Sequence, residues 1–168
     1  RNHSSAASDV YKRQPDILLL GKALGGGFPV GAMITKKSFM NKFQKNPILG
    51  HITTFGGHPV IAAAGFKSLS IILKERLSEK TLDKERLLRS LLKHPYIQEI
   101  RGKGLMIALI LKNEKLANQL VLKSLDNGLI LFWLLYEKKA VRITPPLNIS
   151  ETEIKKGCKI ILSILNSI

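Results

Sequence analysis

Lys22 stands where an apolar run ends. Residues 15–32 read PDILLLGKALGGGFPVGA: four large aliphatic residues, a glycine, one lysine, and then Gly25, Gly26 and Gly27 in a row. Most lone lysines are solvated loop residues. This one follows a strand-like segment, at the carboxyl end where α/β proteins gather ligand groups. An ammonium drawn to that boundary loses hydration, and the neutral amine that desolvation favours is a nucleophile toward carbonyls. Gly25, Gly26, Gly27 and Gly31 would let a planar ligand come close to the backbone. The G-x-x-x-x-G-K-[ST] phosphate loop is absent.

Three further stretches carry chemistry-bearing residues. In GHITTFGGHP, residues 50–59, two threonine hydroxyls and the N–H groups of Phe55, Gly56 and Gly57 precede a helix start. Unpaired N–H groups and the positive dipole end favour an anion there, although the same residues also suit an N-cap with a tight turn. In RGKGLM, residues 101–106, Arg101 between glycines can pair bidentately with a carboxylate or decorate a surface hairpin. In VRITPPLNIS, residues 141–150, Arg142 sits in a strand that ends at Pro145 and Pro146, which reads first as a structural turn.

The elements that must position these groups alternate along the chain. Residues 17–20 read as a short buried strand, 30–34 as a second and 37–43 as a short helix, with a loop over 46–57. From Pro59, which suits a first helical turn, Ala62, Phe66, Leu69, Ile72, Leu73 and Leu77 recur at helical spacing. A second helix spans about 82–92. Strands over 97–100 and 105–111 are joined by RGKG, and a helix over 114–127 ends at Asn127-Gly128. Strands follow over 129–135 and 140–143. Ser150 and Glu153 form a capping box before a helix whose inner stripe is Ile154, Cys158, Ile161, Leu165 and Ile168. Residues 1–14, RNHSSAASDVYKRQ, lack this patterning and are set apart as a non-native leader.

Composition narrows the function. The 168 residues are 45% hydrophobic, and no apolar run approaches the roughly 20 residues of a bilayer span. The net charge of +15 raises a nucleic-acid reading. Yet the lysines are scattered, at positions such as Lys36, Lys45, Lys67 and Lys80, with neither zinc-finger spacing nor an RRM-like aromatic pattern. The expectation is a solvated surface, with no nucleic-acid or membrane partner. Cys158 is the one cysteine and cannot form an internal disulfide, which points to a reducing, cytoplasmic setting. His3, His51, His58 and His94 have no close metal-ligand spacing, and a GxSxG elbow is missing.

Taken in order, the four stretches resemble the class III pyridoxal-phosphate aminotransferases, the group of ornithine and acetylornithine aminotransferases. PDILLLGKALGGGFPVGAM resembles the cofactor-lysine segment and TTFGGHP the phosphate segment. IRGKGLM and VRITPPLNIS resemble the small-domain segments. The resemblance implies an α/β fold, fold-type I, with the end of the large cofactor domain over residues 15–58. Connector helices would follow over 59–95, and a complete small α+β domain over 96–168. Lys22 would form the Schiff base with pyridoxal 5'-phosphate and then shuttle the proton. Thr54, with Phe55 and Gly56, would hold the phosphate, usually across the boundary of a homodimer. Arg101 would bind a substrate carboxylate or pair with an acidic group in the resting site. The reaction implied moves an amino group from an ornithine-type ω-amino donor to a 2-oxo acid. A decarboxylase, racemase or aminomutase on the same fold is the alternative, and a basic nucleic-acid-binding module the more distant one. His58 stands where asparagine is commonest and Ile52 where a small residue is usual. The family's pyridine-nitrogen aspartate and second phosphate loop would lie upstream of Pro15. The chain is therefore read as the carboxyl-terminal part of such an enzyme, inactive by itself.

Overall fold

The computed structural model describes residues 14–168; the leader expected over residues 1–14 lies, but for Gln14, outside them. The chain divides into two units between Glu75 and Arg76. The helical connector expected over 59–95 spans that division.

In the first unit, β1 (Ile17–Leu20) pairs antiparallel with β2 (Ala32–Thr35), with Leu19 opposite Met33. Thr35 Oγ1 donates to the Asp16 carbonyl at 2.7 Å and closes the open end of the ribbon. β1 was expected to be buried, but Ile17, Leu18, Leu19 and Leu20 are all exposed. A two-stranded ribbon leaves strand faces uncovered unless another layer packs on them. A 3-10 turn, Lys22–Gly25, follows β1. Where a helix was expected over 37–43, α1 (Lys37–Met40) is a single turn that tightens into a 3-10 turn, Asn41–Gln44.

α2 (Pro59–Lys74) starts at its proline as expected. Its large apolar side chains do not form its packed face: Phe66, Leu69 and Leu73 are exposed, and the one buried residue is Gly65. α2 packs instead on the Lys22–Gly25 turn through small residues. A β-carbon on Gly65 would lie 3.3 Å from the Leu24 carbonyl oxygen, and one on Gly26 would lie 3.1 Å from Ser68 Cβ. Removing side chains from both surfaces lets the turn and helix backbones approach.

The second unit begins at a helix break that the sequence reading placed a few residues too late. The stripe through Leu77 reads as one helix, but Arg76 adopts a left-handed φ of 52° and starts a new one, α3 (Leu77–Leu91). That helix therefore begins five residues before the expected 82. β3 (Ile97–Lys103) and β4 (Met106–Leu111) form a hairpin, and the sheet continues to β6 (Ala140–Ile143) and β5 (Phe132–Trp133) in the order β3-β4-β6-β5. The strand expected over 129–135 shrinks to two residues, because only Arg142 and Val141 of β6 face it in register. α4 (Glu114–Asp126) and α5 (Glu151–Asn166) pack with α3 around the core. Leu109, Leu111, Leu120 and Leu165 are fully enclosed. Each contributes about 1.5–3 kcal/mol relative to exposure.

Of the expected α5 stripe, Ile154, Cys158, Ile161 and Leu165 are buried, while Ile168 lies past the helix end and is half-buried; burial pushes the Cys158 thiol up to about 11. The capping box forms, with Glu153 N–H donating to Ser150 Oγ at 3.2 Å and Ser150 N–H to Glu153 Oε2 at 2.8 Å. Ser150→Ala is expected to destabilise the second unit by about 1 kcal/mol, read as a lower midpoint in thermal unfolding.

Candidate active site

Lys22 is one of four non-glycine residues, among those described, whose φ is positive. Gly21 leaves β1 in an extended conformation, and Lys22 then takes φ 52° to open the 3-10 turn. A left-handed conformation in a non-glycine residue costs about 1–3 kcal/mol and concentrates at functional sites. The turn is held by Leu24 N–H donating to the Gly21 carbonyl and Gly26 N–H to the Ala23 carbonyl, each at 3.1 Å. Gly26, at φ 58°, ends it. The lysine side chain, expected to shed water at the strand boundary, is exposed, as is β1 itself.

The threonine–glycine segment leads into α2. Gly56 N–H donates to the Thr53 carbonyl and His58 N–H to the Phe55 carbonyl, both at 3.2 Å. A β-carbon on Gly56 would sit 2.8 Å from Thr53 Oγ1, so a larger residue there would require the Thr53 side chain to turn away. Among the described residues, the N–H groups of Thr54, Phe55 and Gly57 take no backbone partner. His58, the α2 N-cap, supplies no side-chain cap. These donors and the positive end of α2 leave the segment ready for an anion.

A cleft of about 370 Å³ lies between this segment and the chain following the glycine run, lined by Pro29, Val30, Gly31, Thr53, Phe55, Gly56, Gly57, His58, Ile61 and Ala62. The structure thus brings Phe55 and Gly56 into one cleft. Lys22 and Thr54 are not among its lining residues. Ile52 is exposed outside it, and the His58 ring lies 6.4 Å from that of Phe55.

Arg101 belongs to the second unit. The expected RGKG connection resolves differently: β3 runs on through Lys103, and the turn is Gly104-Leu105, with Lys103 opposite Met106. Gly104 has φ 61°, as the first central residue of a tight hairpin loop can require. Arg101 therefore lies in a strand, opposite Ala108, and its Nε donates to Glu99 Oε2 at 2.8 Å. Both side chains are half exposed. Arg142 stacks its guanidinium 4.9 Å from the Phe132 ring, its cross-strand neighbour, a contact that the structural-turn reading of this stretch did not include.

Two residues that carry this hairpin were not singled out from the sequence. Arg89 of α3 donates from Nη1 to the Ile100 carbonyl at 2.6 Å and from Nη2 to the Gly102 carbonyl at 2.9 Å. Its Nε donates to Glu85 Oε1 at 2.8 Å, and Glu85 Oε2 accepts the Gly104 N–H at 2.5 Å. The sequence signal was only an i, i+4 Glu–Arg pair, which predicts helix support and not its target. Burial of Glu85 would raise its pKa, but the Gly104 N–H, the Arg89 bond and the Arg89 and Lys103 charges outweigh burial and hold it below the usual carboxylate range. A carboxyl lowered in the folded state stabilises fully above the unfolded glutamate value, about 4.3. That stability is lost as pH falls through the lowered value. The unfolding free energy should drop more steeply with acid in the native protein than in Glu85→Gln, measured by urea titration between pH 6 and pH 2.

Comparison with known proteins matches the same elements. The model of the family described as Aminotransferase class-III matches residues 5–165, reaching into the segment set apart as a leader. The acetylornithine aminotransferase of Caldanaerobacter subterraneus is 37% identical over 163 residues, covering 94% of this chain and 40% of that protein. The crystal structure of acetylornithine aminotransferase from Elizabethkingia anophelis superposes with a TM-score of 0.83 at 32% identity, over 96% of this chain and 41% of that one. An ornithine aminotransferase structure from Toxoplasma gondii, described as having partial occupancy of PLP at its active site, gives a TM-score of 0.80 at 29% identity, over 96% and 39%. The chain thus spans about two fifths of the length of these relatives. With the match running through the lysine turn, the threonine–glycine segment and the arginine hairpin alike, this chain belongs to the class-III aminotransferases, and its α/β fold is theirs.

Proposed function

We propose that the whole protein transfers an amino group from an amino acid with an ornithine- or acetylornithine-type ω-amine to a 2-oxo acid, using pyridoxal 5'-phosphate. The observation that carries this reading is Lys22 held on left-handed backbone at the end of β1, in a chain of this family. The residues fit the cofactor. Its aldehyde requires a primary amine, and its phosphate requires hydroxyl and N–H donors free of competing carboxylates. The threonine–glycine segment offers both kinds of donor, and among the described residues no acidic side chain lines the adjoining cleft. When bound, the cofactor supplies an electron sink beside the reacting carbon.

The chain's own residues do the rest. Lys22 Nζ would be the amine that holds the cofactor aldehyde and, once the substrate amine has displaced it, the base that takes and returns the proton at the substrate carbon. Thr54, Phe55 and Gly56 hold the phosphate and so fix the orientation of the ring. Arg101 exchanges Glu99 for a substrate carboxylate, which its fork can grip bidentately. The protein acts as a cytoplasmic homodimer in which the threonine–glycine segment serves the neighbouring site. The cofactor-domain end, helical connector and small domain occupy residues 15–58, 59–95 and 96–168. Product analysis of the holoenzyme given ornithine or N-acetylornithine with 2-oxoglutarate tests the reading. Stoichiometric glutamate and a semialdehyde are expected. Carbon dioxide or a racemised amino acid would favour the decarboxylase or racemase reading.

A further inference from the structure

Gly65 lies inside α2. Glycine is a poor helix former, and an isolated one within a helical pattern calls for a packing reason. Here the reason is the turn that opens at Lys22. A β-carbon on Gly65 would lie 3.3 Å from the Leu24 carbonyl oxygen, tighter than ordinary contact. Ser68 follows three residues on, on the same helix face. Its Cβ would lie 3.1 Å from a β-carbon on Gly26, and the Ala64 carbonyl oxygen 3.6 Å from it. Gly25, between these two contacts, is the buried residue of the turn, and Val30 Cγ1 would lie 2.9 Å from a β-carbon there. The turn is therefore seated on α2 through Leu24 and Gly26 and against Val30 through Gly25. Left-handed backbone at a residue such as Lys22 persists only where the surroundings over-determine it. The turn's own bonds and the end of the ribbon, Leu20 opposite Ala32, supply part of that restraint. The seat on α2 adds a restraint from a second element.

We infer that Gly65 and Ser68 are positioning residues for the Lys22 amine: by seating the turn on α2 they hold Lys22 in its left-handed conformation and fix where its side chain leaves the backbone. This rests on the cofactor-holding role proposed for Lys22. Both residues act through the backbone of residues 24–26 and take no part in the chemistry. A reacting group displaced by about an ångström can lose about two orders of magnitude in rate. A large side chain at either position would push the turn off the helix and carry the amine with it. The threonine–glycine segment would keep its own bonds to the Thr53 and Phe55 carbonyls.

The test compares two ligands on the full-length protein stripped of cofactor: pyridoxal 5'-phosphate and pyridoxamine 5'-phosphate. The second carries an amine in place of the aldehyde, so it cannot condense with Lys22 but still needs the phosphate donors. The variants are Gly65→Leu, Gly65→Ala and Ser68→Leu, with Lys67→Leu, at an exposed position of the same helix, as the control. Alanine and leucine both favour helix over glycine, so a loss at Gly65 cannot come from a weakened helix. The deciding quantity is the ratio of the two dissociation constants, read by absorbance titration. Gly65→Leu and Ser68→Leu should weaken pyridoxal phosphate about tenfold and leave pyridoxamine phosphate within about twofold, so the ratio rises about tenfold over Lys67→Leu. Gly65→Ala should move it the same way by a smaller factor. In the loaded enzyme kcat should fall in parallel, with donor KM nearly unchanged. A ratio at the control level in both leucine variants, whether neither ligand or both are weakened, overturns the inference. The Lys22 reading then still stands if borohydride labels Lys22 in the unaltered protein. If the unaltered protein binds pyridoxal phosphate without label on Lys22, that reading fails and the inference fails with it. Should Gly65→Leu not fold, Gly65→Ala and Ser68→Leu decide by the same ratio.

Discussion

Replacing Lys22 with alanine in the holoenzyme is expected to lower kcat by about 10²- to 10⁴-fold, the range removed with a positioned acid–base group, and to leave the fold in place. Lys22 lies outside the core, so thermal unfolding should change little. Lys22→Arg should not restore activity. A guanidinium keeps its proton at any working pH and is not a nucleophile toward an aldehyde. A small primary amine such as ethylamine, added to Lys22→Ala, should restore part of the rate, because it supplies the missing base without the tether. Retention of full activity by Lys22→Ala would remove the lysine from the chemistry.

The second large effect is expected at Gly102. Its φ is 110°, a conformation that L residues rarely adopt. A β-carbon there would collide with the Met106 carbonyl oxygen and come within 2.8 Å of Ile107 Cα, both backbone atoms of β4. Side-chain rearrangement cannot relieve that overlap, so β3 and β4 must part. Gly102→Ala should destabilise the second unit by on the order of 3 kcal/mol or more. The unfolding midpoint should fall by more than about 10 °C. Because β3 carries Arg101, donor KM should rise as well. An unchanged midpoint would mean that the hairpin register described for residues 97–111 is wrong.

What could be read from the residues alone was whatever local chemistry specifies. Pro59 marked the start of α2, and Ser150 with Glu153 marked that of α5, because each satisfies or spares backbone groups within one turn. The four stretches around Lys22, Thr54, Arg101 and Arg142, taken in order, resembled the family to which the chain belongs. The helix break was expected between 77 and 82 but lies at Arg76, since a left-handed arginine carries no glycine or proline to mark the position. β1 is exposed in this chain, which spans about two fifths of its relatives' length, because an apolar run reports what a strand can bury and not what covers it. The RGKG stretch offered two glycines, and only the backbone shows that Gly104 makes the turn while Gly102 allows close strand approach. The Arg89–Glu85 clamp was invisible because its targets lie 11 to 19 residues away across a turn.

The most direct test of the account is reduction of the pyridoxal-phosphate-loaded protein with borohydride, followed by proteolysis and peptide mass mapping. The account predicts one pyridoxyl label, on Lys22, within the peptide that runs from β1 into the glycine turn. A label on any other lysine, or none after the protein has taken up the cofactor, would contradict it.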